Sequence, residues 1–397
     1  MLFALNVAGI FVFLGIAIFF SKDRSKINKK TVATLLIFNF IIAAFLTASP
    51  LGREMIVSVA GVLNSIIAIS YEGVAFAIPN WVNVPQMNFI TSALMPLLMI
   101  VPLMDTLTYF GILPKIIEVI GKVLSLITKL PKFECFYSIE MTVLGMNEAI
   151  PISRFQLQKM SAPRCLTNAI MSMSCISAAI VGSYTQMMPE EFILTAIPLN
   201  IINSLILSHI LNPLEVPPED DFIVKIDDDK KPSFFAFLGN SIISAGKMIF
   251  IITVMVIAFV SLAKLINAAL ALISPAISLE AILGLVMFPF AVFLGMDTTQ
   301  AFQVAEIMGL KLVTNEFVAM LSVQSLLPNF SEHMRAVLTV FLTSFANLGT
   351  IGIIIGLFQG VVDEEKVEYI SRNLKYLVIS GILVSLMSAA IVGLFIW

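Results

Sequence analysis

Two amide–carboxylate pairs interrupt otherwise apolar sequence: Asn147-Glu148 within 145-GMNEAI-150, and Asn315-Glu316 within 311-KLVTNEFVAML-321. Asparagine offers a donor and an acceptor, and an ionised carboxylate accepts two hydroxyl protons. Together they suit a polyhydroxyl or heterocyclic ligand. Further along, 344-SFANLGTIGIIIG-356 sets Asn347 and Thr350 three residues apart, on one helical face. A carboxylate at the bilayer centre costs from ~2.5 kcal/mol upward, so such residues face a cavity or a partner. Lys311 is the nearest partner in sequence for Glu316. The recurrence of the pair at matching points of the chain argues instead for a shared cavity.

The surroundings are those of a membrane. The chain has 397 residues, 59% hydrophobic and 12% charged, about half the charge of a soluble domain. Several windows reach the ~20 apolar residues of a helical span, and no alternating strand pattern suggests a barrel. The expected class is an all-α polytopic membrane protein. Net charge is −3, which suggests no nucleic-acid partner. Cys135, Cys165 and Cys175 show no metal or disulfide spacing, and His209 and His333 are isolated. No metal or cofactor is expected.

Spans are predicted at about 3–20, 31–49, 90–111, 165–187, 191–211, 240–268, 334–358 and 375–396. The first is read as a helix, not a signal peptide, because no basic segment precedes it. The loop 21–30 holds five Lys/Arg and is expected inside, leaving both termini outside. An interfacial helix is expected near 54–78, and an amphipathic one over 112–132. Residues 133–158 and part of 272–330 read as two re-entrant hairpins, each carrying one Asn-Glu pair. The organisation becomes a scaffold over 1–88, a first repeat over 89–212, a linker over 213–233 and an inverted second repeat over 234–397. Inverted repeats with interrupted segments are how many secondary transporters build a midplane site. Gly349 and Gly352 allow the seventh span to unwind or another backbone to approach.

These stretches resemble the concentrative nucleoside transporter family. GLKLVTNEFVAM (309–320) is similar to its G-x-K-x-x-x-N-E-F-V-A run. SFANLGTIGI (344–353) is similar to its S-F-A-N-x-x-S-I-G-I element, and GMNEAIPISR (145–154) to its first-hairpin element. The resemblance implies a homotrimer of ion-coupled nucleoside symporters with an elevator-like transport domain. It implies that Met146, Asn147 and Glu148 face the base, with Ile180 packed on it. Glu316, Asn347 and Thr350 would take ribose hydroxyls, with Phe345 lining the pocket. Met146 and Asn147 depart from the family's Gln and Ser/Thr, which changes the base edges that can be read.

Sodium-coupled relatives bind the ion between the first-hairpin tip and an unwound fourth span. The corresponding positions here are Met141, Leu144, Cys175 and Ile176. Thioether and thiol are poor partners for sodium, so proton coupling is expected, with sodium the alternative. Asp105, Glu148 and Glu316 are the candidate proton carriers; a one-residue shift in register would bring Glu140 to the ion site and favour sodium instead. A symporter for a nucleobase or another small polar metabolite is the second reading. An intramembrane enzyme using Glu148 and Glu316 as acid and base lacks any supporting H-E-x-x-H or G-x-S-x-G motif. The expected location is a bacterial inner membrane.

Overall fold

The computed structural model describes residues 1–223, 232–275 and 277–397. The middle of the predicted linker, 224–231, lies outside the described residues. Every described element is helical, as the unbroken apolar windows require: in lipid each backbone amide must be paired within its own segment. Seven helices among the described residues are long and apolar enough to cross a membrane.

The first three are α1 (Leu2–Phe19), α2 (Lys29–Ala48) and α3 (Pro50–Ala77). Asn28 caps α2 through Lys30 and Thr31, and Ser49 caps α3 with Pro50 at its first turn, both favoured start signals. Residues 54–78 are expected to form an interfacial helix and not a span. The 28-residue α3 nevertheless meets the length and composition of a crossing helix. It buries a single stripe, Ile56, Ala60, Ile67, Ser70 and Val74.

The remaining elements fall into two matching series. The first holds α4 (Pro79–Val82), then a π turn over Ile90–Leu94 leading into α5 (Leu97–Tyr109), and α6 (Ile112–Thr128). Hairpin 1 follows, as α7 (Lys132–Val143), α8 (Met146–Ile152) and α9 (Arg154–Lys159). Then come α10 (Ala162–Ser172), α11 (Ala178–Tyr184) and α12 (Glu190–Leu211). The second series holds α13 (Phe234–Ala271), α14 (Leu279–Val292) and hairpin 2, made of α15 (Thr298–Val313) and α16 (Glu316–Val323). It ends with α17 (Glu332–Leu342), α18 (Leu348–Gln359), α19 (Glu364–Arg372) and α20 (Leu374–Gly393).

Packing follows the internal symmetry. Like meets like where α5 packs on α13 and α12 on α20, and the crossed pairs match as α10 on α20 and α17 on α12. Helices α12 and α20 are buried along most of their length. Polar ties hold them: Asn203 Nδ2 donates to Ser388 Oγ at 2.9 Å, and Ser388 Oγ to Asn200 Oδ1 at 2.7 Å. By contrast α13, 38 residues and ~57 Å long, buries only Ser241, Ala245, Ile249 and Ala263.

Two predicted spans need correction. Residues 165–187 are not one helix: α10 stops at Ser172 and α11 begins at Ala178. Residues 334–358 likewise split between Leu342 and Leu348. The second break lies ahead of Gly349 and Gly352, which sit inside α18 with no neighbouring segment pressed against them. The chain at the break carries polar partners instead, with Asn200 Nδ2 on Thr343 O and Lys311 Nζ on Ser344 Oγ. The base of hairpin 1 is pinned by a buried ion pair, with Arg164 Nε and Nη2 on Glu134 at 2.6 and 2.9 Å. Arg164 Nη1 also donates to the Asp220 carbonyl, docking the described start of the linker.

Candidate functional site

A helix that ends inside a membrane strands its last carbonyls. At the end of α17 these are met from elsewhere in the chain. Lys311 Nζ, fully buried, donates to Phe341 O at 2.6 Å, to Ser344 Oγ at 2.7 Å and to Ser385 Oγ at 3.3 Å. Asn200 Nδ2 donates to Thr343 O at 2.6 Å. At the end of α10 the Cys175 thiol donates to Ser172 O at 3.0 Å. The two breaks then meet each other, for the Phe345 backbone N–H donates to the Cys175 carbonyl at 3.2 Å.

Lys311 is thus not the ion-pair partner of Glu316. No ion pair among the described residues joins them, because the ammonium is spent on the C-terminal end of α17. Glu316 is instead held by neutral donors. Tyr184 Oη donates to its Oε1 at 3.0 Å and Asn347 Nδ2 to its Oε2 at 3.2 Å. Glu316 opens α16, where helix N-termini favour negative charge.

Asn315 and Asn347 also serve as helix caps. Asn315 Oδ1 accepts from Val318 N at 2.9 Å and Asn347 Oδ1 from Thr350 N at 3.0 Å. The Thr350 hydroxyl donates to Phe345 O at 2.5 Å, leaving its lone pairs for a ligand's hydroxyl proton. Glu316, Asn347 and Thr350 are buried, as is Ile180, while Phe345 is half-buried.

The first hairpin reaches the same place from the other repeat. Gly145 forms its tip at φ +91°, and a Cβ there would lie 3.0 Å from Ser177 Cβ in the first break; only glycine gives this close approach without strain. Ser177 Oγ donates to Leu144 O at 3.3 Å. Met146 is buried, Glu148 is half-buried and Asn147 is exposed. The Asn-Glu pairs are therefore used differently, since Asn315 caps its helix and Asn147 lies within the first turn of α8. Glu148 Oε2 lies back over the hairpin tip, 3.4 Å from where a Cβ on Gly145 would stand. Asp105 accepts a hydrogen bond from Ser241 Oγ, joining α5 to α13.

Four half-helices thus begin around one point: α8, α11, α16 and α18. Their starts are linked by the Gly145–Ser177, Cys175–Phe345 and Glu316–Asn347 contacts. Tyr184 is the residue that sequence reasoning missed. It is fully buried, and its ring meets that of Phe317 edge-on at 5.2 Å. Its one sequence signal is an aromatic hydroxyl four residues after Ile180, on the same face of the helix.

Such a centre, polar and buried between two matching series of helices, is the arrangement on which many secondary membrane transporters are built. The comparisons give the family. Residues 192–393 match the "Na+ dependent nucleoside transporter C-terminus" family and residues 8–81 the corresponding N-terminus family. The chain is 41% identical over 397 residues to the purine nucleoside transport protein NupG of Bacillus subtilis, covering 100% of both. It is 26% identical to the nucleoside permease NupC of Helicobacter pylori, covering 98% of this chain and 97% of the relative. Its fold matches CNTnw in an inward-facing substrate-bound state with TM-score 0.92 at 25% identity, over 100% and 98% of the two chains. This chain belongs to the concentrative nucleoside transporter family, in the bacterial branch of NupG and NupC.

Proposed function

We propose that the protein imports nucleosides across the bacterial inner membrane by alternating access, coupled to an inward flow of protons. The observation that carries the reading is the convergence on Glu316, where a buried carboxylate is held by neutral donors from two different half-helices. Ribose hydroxyls donate to Glu316 and Thr350, and Asn347 completes that end. Met146, Asn147, Glu148 and Ile180 receive the base, and Phe345 lines the space between. Substrate is released unmodified.

Proton coupling is favoured by the groups at the positions where sodium-coupled relatives hold their ion. Met141 and Cys175 offer sulfur, and both are buried. The Leu144 carbonyl accepts from Ser177, and the Cys175 thiol is engaged with Ser172 O. The Met141 and Cys175 side chains offer sulfur where sodium prefers hard oxygen ligands. Of Asp105, Glu148 and Glu316, Asp105 carries the proton while substrate is bound in this reading, because the other two accept hydrogen bonds from the nucleoside as carboxylates. The protein works as a homotrimer with both termini outside, and α3 lies in the outer interface, although its length and composition would also allow it to cross. The scaffold, repeat and linker boundaries at 88, 212 and 233 belong to the same proposal.

The test is uptake of a nucleoside and nucleobase panel into proteoliposomes under separate pH and sodium gradients. The proposal expects nucleosides, not free bases, to accumulate under an inward pH gradient in sodium-free buffer. Strict sodium dependence would overturn the proton reading, and preferential uptake of free bases would overturn the nucleoside reading.

A further inference from the structure

We infer that Tyr184 is a positioning and specificity residue: its hydroxyl fixes the plane of the Glu316 carboxylate so that both oxygens present to two neighbouring hydroxyls on one sugar. The inference rests on the proposal that Glu316 receives ribose.

The terminal torsion of a glutamate is broad and roughly two-fold, so nothing intrinsic orients its carboxylate. Two donors on different oxygens do so. Asn347 Nδ2 anchors Oε2 and Tyr184 Oη anchors Oε1. Both anchors are themselves fixed. Asn347 is held because its own Oδ1 caps α18, so its amide cannot turn over. Tyr184 is held because its ring is fully buried against Phe317. Each carboxylate oxygen has a second lone-pair site, and fixing the plane fixes where both of these point. Two adjacent hydroxyls then meet two oxygens at once, a bidentate arrangement that adds geometric selectivity to strength. A sugar lacking either hydroxyl uses one oxygen only and gains little from the fixed plane. Tyr184 belongs to the first repeat and Glu316 to the second, so selection for the diol depends on both repeats.

The test compares wild type with Tyr184→Phe, which keeps the ring contact and removes the hydroxyl. Half-saturation and maximal rate of uptake are measured in proteoliposomes for a ribonucleoside and for its 2′-deoxy and 3′-deoxy forms. The expected result is a roughly tenfold rise in half-saturation for the ribonucleoside and a smaller rise for either deoxy form, so that the preference for the diol narrows. A purely structural tyrosine would change all three substrates in proportion, and an unchanged ratio overturns the inference. Should uptake fall below detection, the ratio is read from competition binding to purified protein, with the same two outcomes. Glu316→Gln runs alongside. Wild-type uptake from that variant removes Glu316 from the site and takes the inference with it. Loss of uptake there with an unchanged ratio in Tyr184→Phe overturns the inference alone.

Discussion

Replacing Asn347 by aspartate and by alanine separates the two tasks of this side chain. Asparagine caps α18 through Oδ1 and donates to Glu316 through Nδ2. Alanine loses both. The cap is worth about 1 kcal/mol, and a hydrogen bond to a charged group about 1.5–3 kcal/mol. Aspartate caps as well as asparagine does, so the cap term drops out. In place of the donor it sets an oxygen near Glu316 Oε2, where an N–H had stood at 3.2 Å. Two like charges ~4 Å apart repel by about 4 kcal/mol at an effective dielectric of 20. Alanine should therefore weaken nucleoside binding by roughly 10- to 150-fold. Aspartate should weaken it further, although it is the closer isostere. The assay is equilibrium binding of a ribonucleoside to purified protein, with thermal stability measured on the same samples. Binding by the aspartate variant as tight as that by the alanine variant would refute the claim that Asn347 donates to Glu316.

Two further substitutions test how the hairpins are held. Arg164→Met removes one partner of a pair whose side chains are each only 7% exposed, leaving Glu134 uncompensated. A loss of about 3 kcal/mol is expected, seen as a lower melting temperature, and the double variant Arg164→Met/Glu134→Gln should recover part of it. Equal melting temperatures for Arg164→Met and wild type would contradict the assignment. Gly145→Ala forces a Cβ onto a residue at φ +91° and to within 3.0 Å of Ser177. Uptake should fall several-fold while the amount of protein inserted in the membrane stays the same; unaltered uptake would mean that the tip is not clamped against the first break.

Much of this architecture was written in hydropathy. α1, α2, α12 and α20 lie within three residues of the predicted spans because apolar runs leave the backbone no alternative to a helix. Both hairpins were legible for the opposite reason: Gly145 and the 314–315 turn interrupt segments too polar for a simple crossing. The helix breaks were not legible. MSMSCIS and TSFAN are as compatible with an uninterrupted helix as with a gap, and neither contains proline. At the second break the partners are tertiary, with Lys311 and Asn200 reaching the α17 carbonyls; at the first the Cys175 thiol meets Ser172 O from three residues away. Lys311, five residues before Glu316, is the nearest cation in sequence, and the reading that set it aside for a shared cavity agrees with the absence of an ion pair between them among the described residues. A helix leg and a turn separate the two, and the ammonium has nearer acceptors. Tyr184 stayed hidden because its partner lies 132 residues away.

The claim on which the rest depends is that one acid from each repeat serves a single nucleoside. Its most direct measurement is the nucleoside affinity of purified Glu148→Gln and Glu316→Gln, each checked for an unchanged melting profile. Both are predicted to bind at least about tenfold more weakly than wild type, the loss of one hydrogen bond to a charged group. Wild-type affinity in either variant would contradict a site shared between the two halves.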